Sequence, residues 1–382
     1  MLIGVPAETL PGETRVAVTP ETARKLVASG NPVRVQSGAG TAASATDAAY
    51  QAAGAEITDR AGALGADIVL KVRAPSAAEC ALMKPGGVLV GMLDPFDAAG
   101  LQRLAAAGLT GFALEAAPRT TRAQSMDVLS SQANIAGYKA VMLAADRYPR
   151  FFPLLMTAAG TVKAARVVIL GVGVAGLQAI ATAKRLGAVI EASDVRPSVR
   201  EQIESLGGKF IEVPYETQEE KDAAEGVDGY ARPMPASWLS RQRDEVARRV
   251  AQADVVIGTA LIPGRAAPTL ITEEMVRSMK PGSVIVDIAA GKGADGRGGN
   301  CPLSEVGRTV VRHGVTIVGE TNLAARMAAD ASALYARNVF DFLGLILTRE
   351  GTLRIDLEDD IVAACRVTQD GQVTRRQAPT GA

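Results

Sequence analysis

The chain has 382 residues with 41 Lys+Arg, 41 Asp+Glu and one His, so its formal charge is zero. That length calls for two or three domains, and a hydrophobic content of 48% excludes wholesale disorder. Zero net charge argues against a nucleic acid or an acidic membrane held by bulk electrostatics, while one His and three scattered Cys (Cys80, Cys301, Cys365) exclude a His-rich metal site and a disulfide framework.

In chain order, Leu2–Val5 reads as a short apolar strand with no signal-peptide pattern around it. Thr19 caps a helix with Pro20 at its first position, ending near Ser29-Gly30. Val33–Gln36 is a second strand, Ala48–Ala53 a helix, and Ile68–Val72, Val88–Met92 and Gly111–Leu114 are three more strands. Strands alternating with helices predict a parallel, doubly wound sheet. A polar stretch, Pro118 to Ser131, then precedes a helix from about Gln132 to Tyr148. A second βα series starts at Arg166 and continues through Val189–Ala192, Phe210–Val213, Val255–Thr259, Ser283–Ile288 and Thr316–Val318. Thr217–Pro235 reads as a long surface loop, Ala328–Leu347 as a long helix, and Gly351–Val373 as short strands returning to the first domain. The expected fold is therefore α/β: two Rossmann-like doubly wound parallel-sheet domains with a cleft between them. Residues 1–130 plus 328–382 form the first and 138–322 the second. The longest apolar run, Val167–Ala183, is interrupted by Gly and Gln and flanked by Arg166 and Lys184, so a strand, turn and helix explain it better than a membrane span.

That run contains the strongest motif. Val167–Leu170 leads into Gly171-Val-Gly173-Val174-Ala175-Gly176 and then a helical Leu-Gln-Ala-Ile-Ala. Gly171 permits the tight turn, Gly173 lets backbone approach a pyrophosphate, and Gly176 permits close packing of helix on strand. The helix N-terminus then offers N–H groups to phosphates. Asp194 ends the next strand, 18 residues beyond Gly176, where an acid accepts from the adenosine ribose hydroxyls. That favours NAD; Arg196 nearby leaves room for NADP. The alternative is a glycine-rich turn with no ligand. Thr259–Gly264 follows another strand end, where open α/β sheets place ligands.

Gly4-Val-Pro-Ala-Glu8 and Glu13-Thr-Arg15-Val-Ala-Val-Thr-Pro20 resemble the alanine dehydrogenase / nicotinamide nucleotide transhydrogenase family. Arg119 to Ser131, Asn134-Ile-Ala-Gly-Tyr138, Met156–Gly160, Gly299–Ser304 and Gly319-Glu-Thr-Asn322 extend the resemblance over nearly the whole chain and favour its transhydrogenase branch. The resemblance implies an NAD(H)-binding peripheral component of a proton-translocating transhydrogenase. Such a component is a homodimer, docks a partner subunit's NADP(H)-binding domain, and is cytoplasmic, held at the inner membrane through small membrane-spanning partners. It implies that Arg119, Gln124, Asp127 and Ser130 surround the nicotinamide and its ribose, and that Tyr230 lies on a loop closing over the cofactor. The cofactor-binding set becomes Gly171, Gly173, Val174, Ala175, Gly176, Asp194, Val195, Arg196, Thr259, Ala260, Leu261 and Asn322.

Two other readings remain. An amino-acid dehydrogenase removes a proton as well as a hydride, so it needs a base. In alanine dehydrogenases a His and an Asp flank the substrate. Gly91-Met92-Leu93 holds no His, and Gly291 stands where the Asp is expected. Arg15 and Lys71 are present, either to bind a carboxylate or as internal ion pairs. A non-catalytic NAD(H)-sensing module is the third reading, because Rossmann folds host such roles. His313, Cys301 and Trp238 read as a turn residue, an inert thiol and a packing residue.

Overall fold

In a computed structural model, residues 1–225, 234–262, 264–294, 296–348 and 350–375 are described. They divide into two compact units: Met1–Gln132 with the chain from Ala324 onward, and Ala133–Leu323.

The first unit opens with β1 (Ile3–Val5), α1 (Pro20–Ala28), β2 (Val33–Gln36), α2 (Asp47–Ala52) and β3 (Glu56–Thr58). It continues with α3 (Arg60–Leu64), β4 (Ile68–Arg73), α4 (Ala77–Cys80), β5 (Val88–Met92), α5 (Ala98–Ala106) and β6 (Thr110–Ala113). Local chemistry sets these boundaries. Thr19 caps α1 in a capping box with Thr22, Thr46 caps α2, Asp59 caps α3, and Ser76 with Glu79 boxes α4. β3 lies outside the predicted strands; Glu56-Ile-Thr is short and edge-like, with too little apolar pattern to show. Helix α6 (Val128–Arg147) begins four residues earlier than its apolar pattern suggests.

The second unit holds the hairpin β7 (Leu155–Thr157) and β8 (Gly160–Val162), then β9 (Arg166–Leu170), α7 (Val174–Arg185), β10 (Val189–Ser193), α8 (Arg200–Ser205) and β11 (Lys209–Phe210). There follow α9 (Gln218–Glu225), α10 (Ala236–Val250), β12 (Val255–Gly258), α11 (Glu273–Ser278), β13 (Val284–Asp287), β14 (Thr309–Arg312) and β15 (Val315–Val318). Apart from that hairpin, its strands form one sheet in the order β11-β10-β9-β12-β13-β15-β14, all parallel except β14 against β15. The supposed loop from Thr217 is thus helical through Glu225. The buried Glu220 carboxylate accepts from the Glu216 N–H, Ser237 and Arg241, which docks α9 on α10. Arg241 is thus paired with Glu220, and Arg249 pairs with Glu191 and Glu245. Trp238 stacks on Tyr215 at 6.0 Å in a small core of its own. His313 has φ +52 in the β14–β15 turn and lies 3.1 Å from Glu273.

The chain closes with α12 (Ala328–Ile346), α13 (Asp360–Cys365), β16 (Arg366–Gln369) and β17 (Gln372–Val373). The first unit's sheet runs β17-β16-β6-β5-β4-β1-β2-β3, with β1 to β6 parallel and β16 antiparallel to β6. Strands β4 and β5 are buried almost throughout, as parallel strands covered on both faces must be. Helix α12 lays Ser332, Tyr335, Asn338 and Phe342 along one face, at helical spacing. Phe342 packs on Phe112 with ring centroids 5.4 Å apart. Among the described residues no helix is long and apolar enough to cross a membrane.

Phe342 is wholly buried, so Phe342→Ala should cost about 3 to 5 kcal/mol, read as a lower denaturant midpoint with little change in m. A loss below about 1 kcal/mol would show that this seam does not hold α12.

Candidate functional site

In the second unit, strand order reverses between β9 and β12, and the loops after both strands meet there. Such a switch point is where an open parallel sheet leaves a crevice. Gly171 has φ +87, and a Cβ on it would lie 2.8 Å from the Ala260 nitrogen. A Cβ on Gly176 would lie 2.2 Å from the Gly171 carbonyl oxygen. Both glycines are thus required by contact. Gly173 differs: it caps α7 with no side-chain hydrogen bond, and a Cβ there would meet nothing within 4 Å. The space in front of it is open, and the uncapped N–H groups of the first turn form the positive end of the helix dipole. That combination suits a pyrophosphate. Val174 is exposed and Ala175 buried. Gly137 on α6 closes the other side, since its Cβ would stand 2.1 Å from the Ala175 carbonyl oxygen. Its packing role has no local sequence signal, because the partner lies 38 residues away.

Asp194, at the end of β10, is placed beside the turn. Its carboxylate accepts from Val172 N–H at 2.7 Å, Arg196 N–H and Nε at 2.9 Å each, and Arg196 Nη2 at 3.1 Å. Those four contacts use all the acceptor directions of a carboxylate. Val195 is partly buried against the Trp238 cluster.

The loop after β12 is held from beneath. Thr259 N–H donates to Leu170 O at 2.8 Å and its hydroxyl to Gly171 O. Asn300, fully buried, accepts from Ala260 N–H at 3.0 Å and donates to Ala260 O and Pro268 O at 2.9 Å each. Asn300 is itself fixed by buried Asp287, which accepts from the N–H groups of Ala289, Asn300 and Cys301 and from Ser304. The sequence points to Thr259, Ala260 and Leu261; Asn300 lies in the family-like Gly299–Ser304 stretch, but nothing local gives it or Asp287 this holding role. Leu261 is exposed. Cys301 is fully buried, and burial pushes its thiol up to about 11, which makes it unreactive. Asn322 follows the end of β15 on the same sheet edge, with its N–H 3.5 Å from Glu320.

In the first unit the reversal falls between β1 and β4. The groups there are closed on one another. Lys71 pairs with Glu79 at 2.9 Å and Glu8 at 3.3 Å, all nearly without exposure. Arg15 makes a bidentate pair with Glu13, which also takes Arg73. The third Arg15 contact is the Gln132 amide oxygen at 2.7 Å. Both cations that the sequence offers as carboxylate binders are internal ion pairs.

The Arg119–Ser130 segment lies in this unit. Arg119 and Gln124 are exposed, with Gln124 opening a short helical turn, Gln124–Met126. Asp127 accepts from Ser130 N–H at 2.9 Å and Ser130 Oγ at 2.6 Å. Asp127 thereby caps α6, which is why that helix starts at Val128. Tyr230 lies outside the described residues.

The alanine dehydrogenase/PNT N-terminal domain family matches residues 4–136, and the corresponding C-terminal domain family matches residues 140–376. The chain belongs to the alanine dehydrogenase/PNT family. It is 51% identical over 382 residues to an NAD(P) transhydrogenase subunit alpha chain of Rhodospirillum rubrum, covering 98% of this chain and 97% of that one. It is 30% identical over 379 residues to alanine dehydrogenase of Bacillus subtilis, covering 98% and 93%. Among solved structures, a transhydrogenase from Sinorhizobium meliloti is 46% identical with a TM-score of 0.87, covering 98% of this chain and 100% of that one.

Two outcomes follow from these contacts. Gly171→Ala should destabilise the fold by at least about 1 kcal/mol, whereas Gly173→Ala should leave the melting temperature unchanged. Equal effects would refute the contact-based distinction. Burial alone would raise the Glu13 carboxyl, but the hydrogen bonds and charge of Arg15, with Arg73, outweigh it and hold it down to about 2. A depressed folded value means stability that is present above the unfolded value of 4.5 and lost as pH falls towards 2. Glu13→Gln should cost about 3 kcal/mol at neutral pH and flatten that acid limb. An unchanged limb would show that Glu13 does not carry it.

Proposed function

We propose that this chain is the NAD(H)-binding component of a proton-translocating transhydrogenase. It would work with partner subunits that hold NADP(H) and span the membrane, as a homodimer on their cytoplasmic side. The carrying observation is the contrast between the two switch points. The second unit keeps an open glycine turn, whereas the first commits Lys71 and Arg15 to Glu8, Glu79 and Glu13. Similarity to the Rhodospirillum rubrum transhydrogenase subunit supports the same reading.

The residues fit a dinucleotide. The α7 N-terminus and Gly173 would receive the pyrophosphate. Asp194 would take ribose hydroxyls by exchanging contacts now made by Arg196, which favours a 2′-hydroxyl over a 2′-phosphate. Thr259, Ala260, Leu261 and Asn322 would border the rest. Asp127 retains unused lone pairs beside its two Ser130 contacts, so it and the exposed Gln124 would orient the carboxamide and ribose, with Arg119 and Tyr230 contributing.

When bound, the nicotinamide supplies a hydride donor or acceptor. Direct exchange between two nicotinamides moves no substrate proton, so the protein needs orientation and water exclusion rather than a base. That matches a chain with no His at Gly91–Leu93 and Gly291 in place of an Asp. The stereochemical class expected is Si-specific/Re-specific exchange.

The test is a mixed assay. The purified chain should be inert with alanine or pyruvate plus NAD(H), and should support NADH-dependent reduction of an NADP analogue once an NADP(H)-binding partner subunit is added. Gln124→Asn should slow single-turnover transfer by at least about 10-fold while NADH affinity stays within about 3-fold. Alanine-dependent NADH formation would overturn the reading, and inertness with a competent partner would favour an NAD(H) sensor.

A further inference from the structure

The Gln124–Met126 turn is short, exposed on one side, and precedes a helix whose first cap is Asp127. Something must fix its orientation, and the structure shows a buried polar group that reaches it from another element. Asn338, on α12, is only 8% exposed. Its Nδ2 donates to the Ser125 carbonyl oxygen at 2.6 Å, and its Oδ1 accepts from the Ser131 hydroxyl at 2.7 Å. The amide orientation is unambiguous, because a carbonyl oxygen can only accept and so faces the nitrogen. One planar side chain thus grips the backbone two residues before Asp127 and the helix four residues after it. Burying an amide is costly unless both ends are bonded, and here both are.

The grip is continuous with the unit's interior. Gln132 Nε2 donates to Ser131 Oγ at 3.2 Å and to Ala331 O at 3.1 Å, and Gln132 Oε1 accepts from Arg15. A second hold on the same segment is Arg122 on Asp359 and Asp360. That pair is about half exposed at Arg122, so salt screens it and its worth is small. The buried amide is the stronger constraint.

We infer that Asn338 is a positioning residue: through Ser125 O and Ser131 Oγ it sets the orientation of the turn that presents Gln124 and Asp127. The functional consequence rests on the transhydrogenase reading; the anchoring does not.

The experiment has two independent arms on the full chain. Trypsin cleavage after Arg119 and Arg122 reports the hold on the segment without reference to activity. Asn338→Ala should speed it by about 10-fold relative to cleavage elsewhere, with the fold otherwise retained. Single-turnover hydride transfer, with an NADP(H)-binding partner subunit added, should fall by about 10- to 100-fold while NADH affinity changes less than about 3-fold. Asn338→Asp adds a readout that a merely structural role would not move. Its ionised carboxylate repels the Ser125 carbonyl, but its protonated form donates to it. Burial raises the carboxyl, so transfer should recover as pH falls from about 8 to about 6, a trend absent from the unaltered chain. Unchanged cleavage in Asn338→Ala overturns the inference, as does a loss of transfer that only tracks a lower melting temperature. Faster cleavage in Asn338→Ala, when the unaltered chain itself exchanges no hydride with its partner, upholds the anchor and overturns the functional reading.

Discussion

The approach of the Ala260 backbone to Gly171 is the constraint around which the second unit is arranged. At 2.8 Å from a would-be Cβ, the Ala260 nitrogen leaves no room for a side chain. The turn can close only on a glycine at positive φ, and only if Ala260 is held in place. Asn300 does that holding, with both ends of its amide on Ala260 and a further bond to Pro268. Asp287 in turn holds the backbone of Asn300. The glycine motif is therefore one end of a buried polar chain. Every link is satisfied, which is the condition under which a polar network rigidifies a site instead of weakening it.

The first unit solves a similar problem with a helix. Along one face of α12, Ser332 accepts from Val16 N–H, Tyr335 donates to Lys71 O, and Asn338 spans Ser125 and Ser131. Phe342 continues the face into the apolar core. These bonds tie sequence-distant loops to one rigid rod. The hydrophobic face gives α12 its place, and the polar groups set within that face give the loops theirs. A helix bearing only apolar residues there would pack, but it would leave the donors and acceptors of Val16, Lys71 and Ser125 unmet.

What is legible in the sequence follows from range. The glycine turn is recognisable within six residues, although the contact that requires Gly171 comes from Ala260, and β4, β5, β9, β12 and β13 are largely apolar runs that identify themselves. Thr19 announces α1 because a cap acts three residues away. β3, β14 and the β7–β8 hairpin are not legible: they are short, partly exposed, and strands chiefly because a neighbour offers hydrogen bonds. The start of α6 is masked because Asp127 sits in a polar stretch that carries a ligand-binding resemblance of its own. The structure gives that carboxylate the task of capping Val128–Arg147, through the Ser130 N–H and hydroxyl. Helix α9 is hidden because its described anchors, buried Glu220 meeting Ser237 and Arg241 and Ala223 and Ala224 packing in the Trp238 cluster, depend on residues outside its own short sequence. The roles of Asn300 and Asn338 are hidden for the same reason: an isolated Asn looks like a turn residue until its partners, in the loop after β12 and in the segment around Ser125 and Ser131, are in view.

The contrast between the two switch points carries the last step. Two similar sheets offer two places where a crevice forms by topology alone. Their fates differ through side chains, not fold. In the second unit the turn beside the switch point is open at Gly173 and ends in uncapped N–H groups, so it attracts anions. In the first unit, carboxylates from the β1 end and α4 converge on Lys71, and Glu13 converges on Arg15. A buried cation already matched by buried carboxylates gains little from a further carboxylate, since each new charge must be desolvated against charges of its own sign. By charge and space alone, the second unit's crevice suits an anionic group, whereas the first unit's cations are already matched by buried carboxylates.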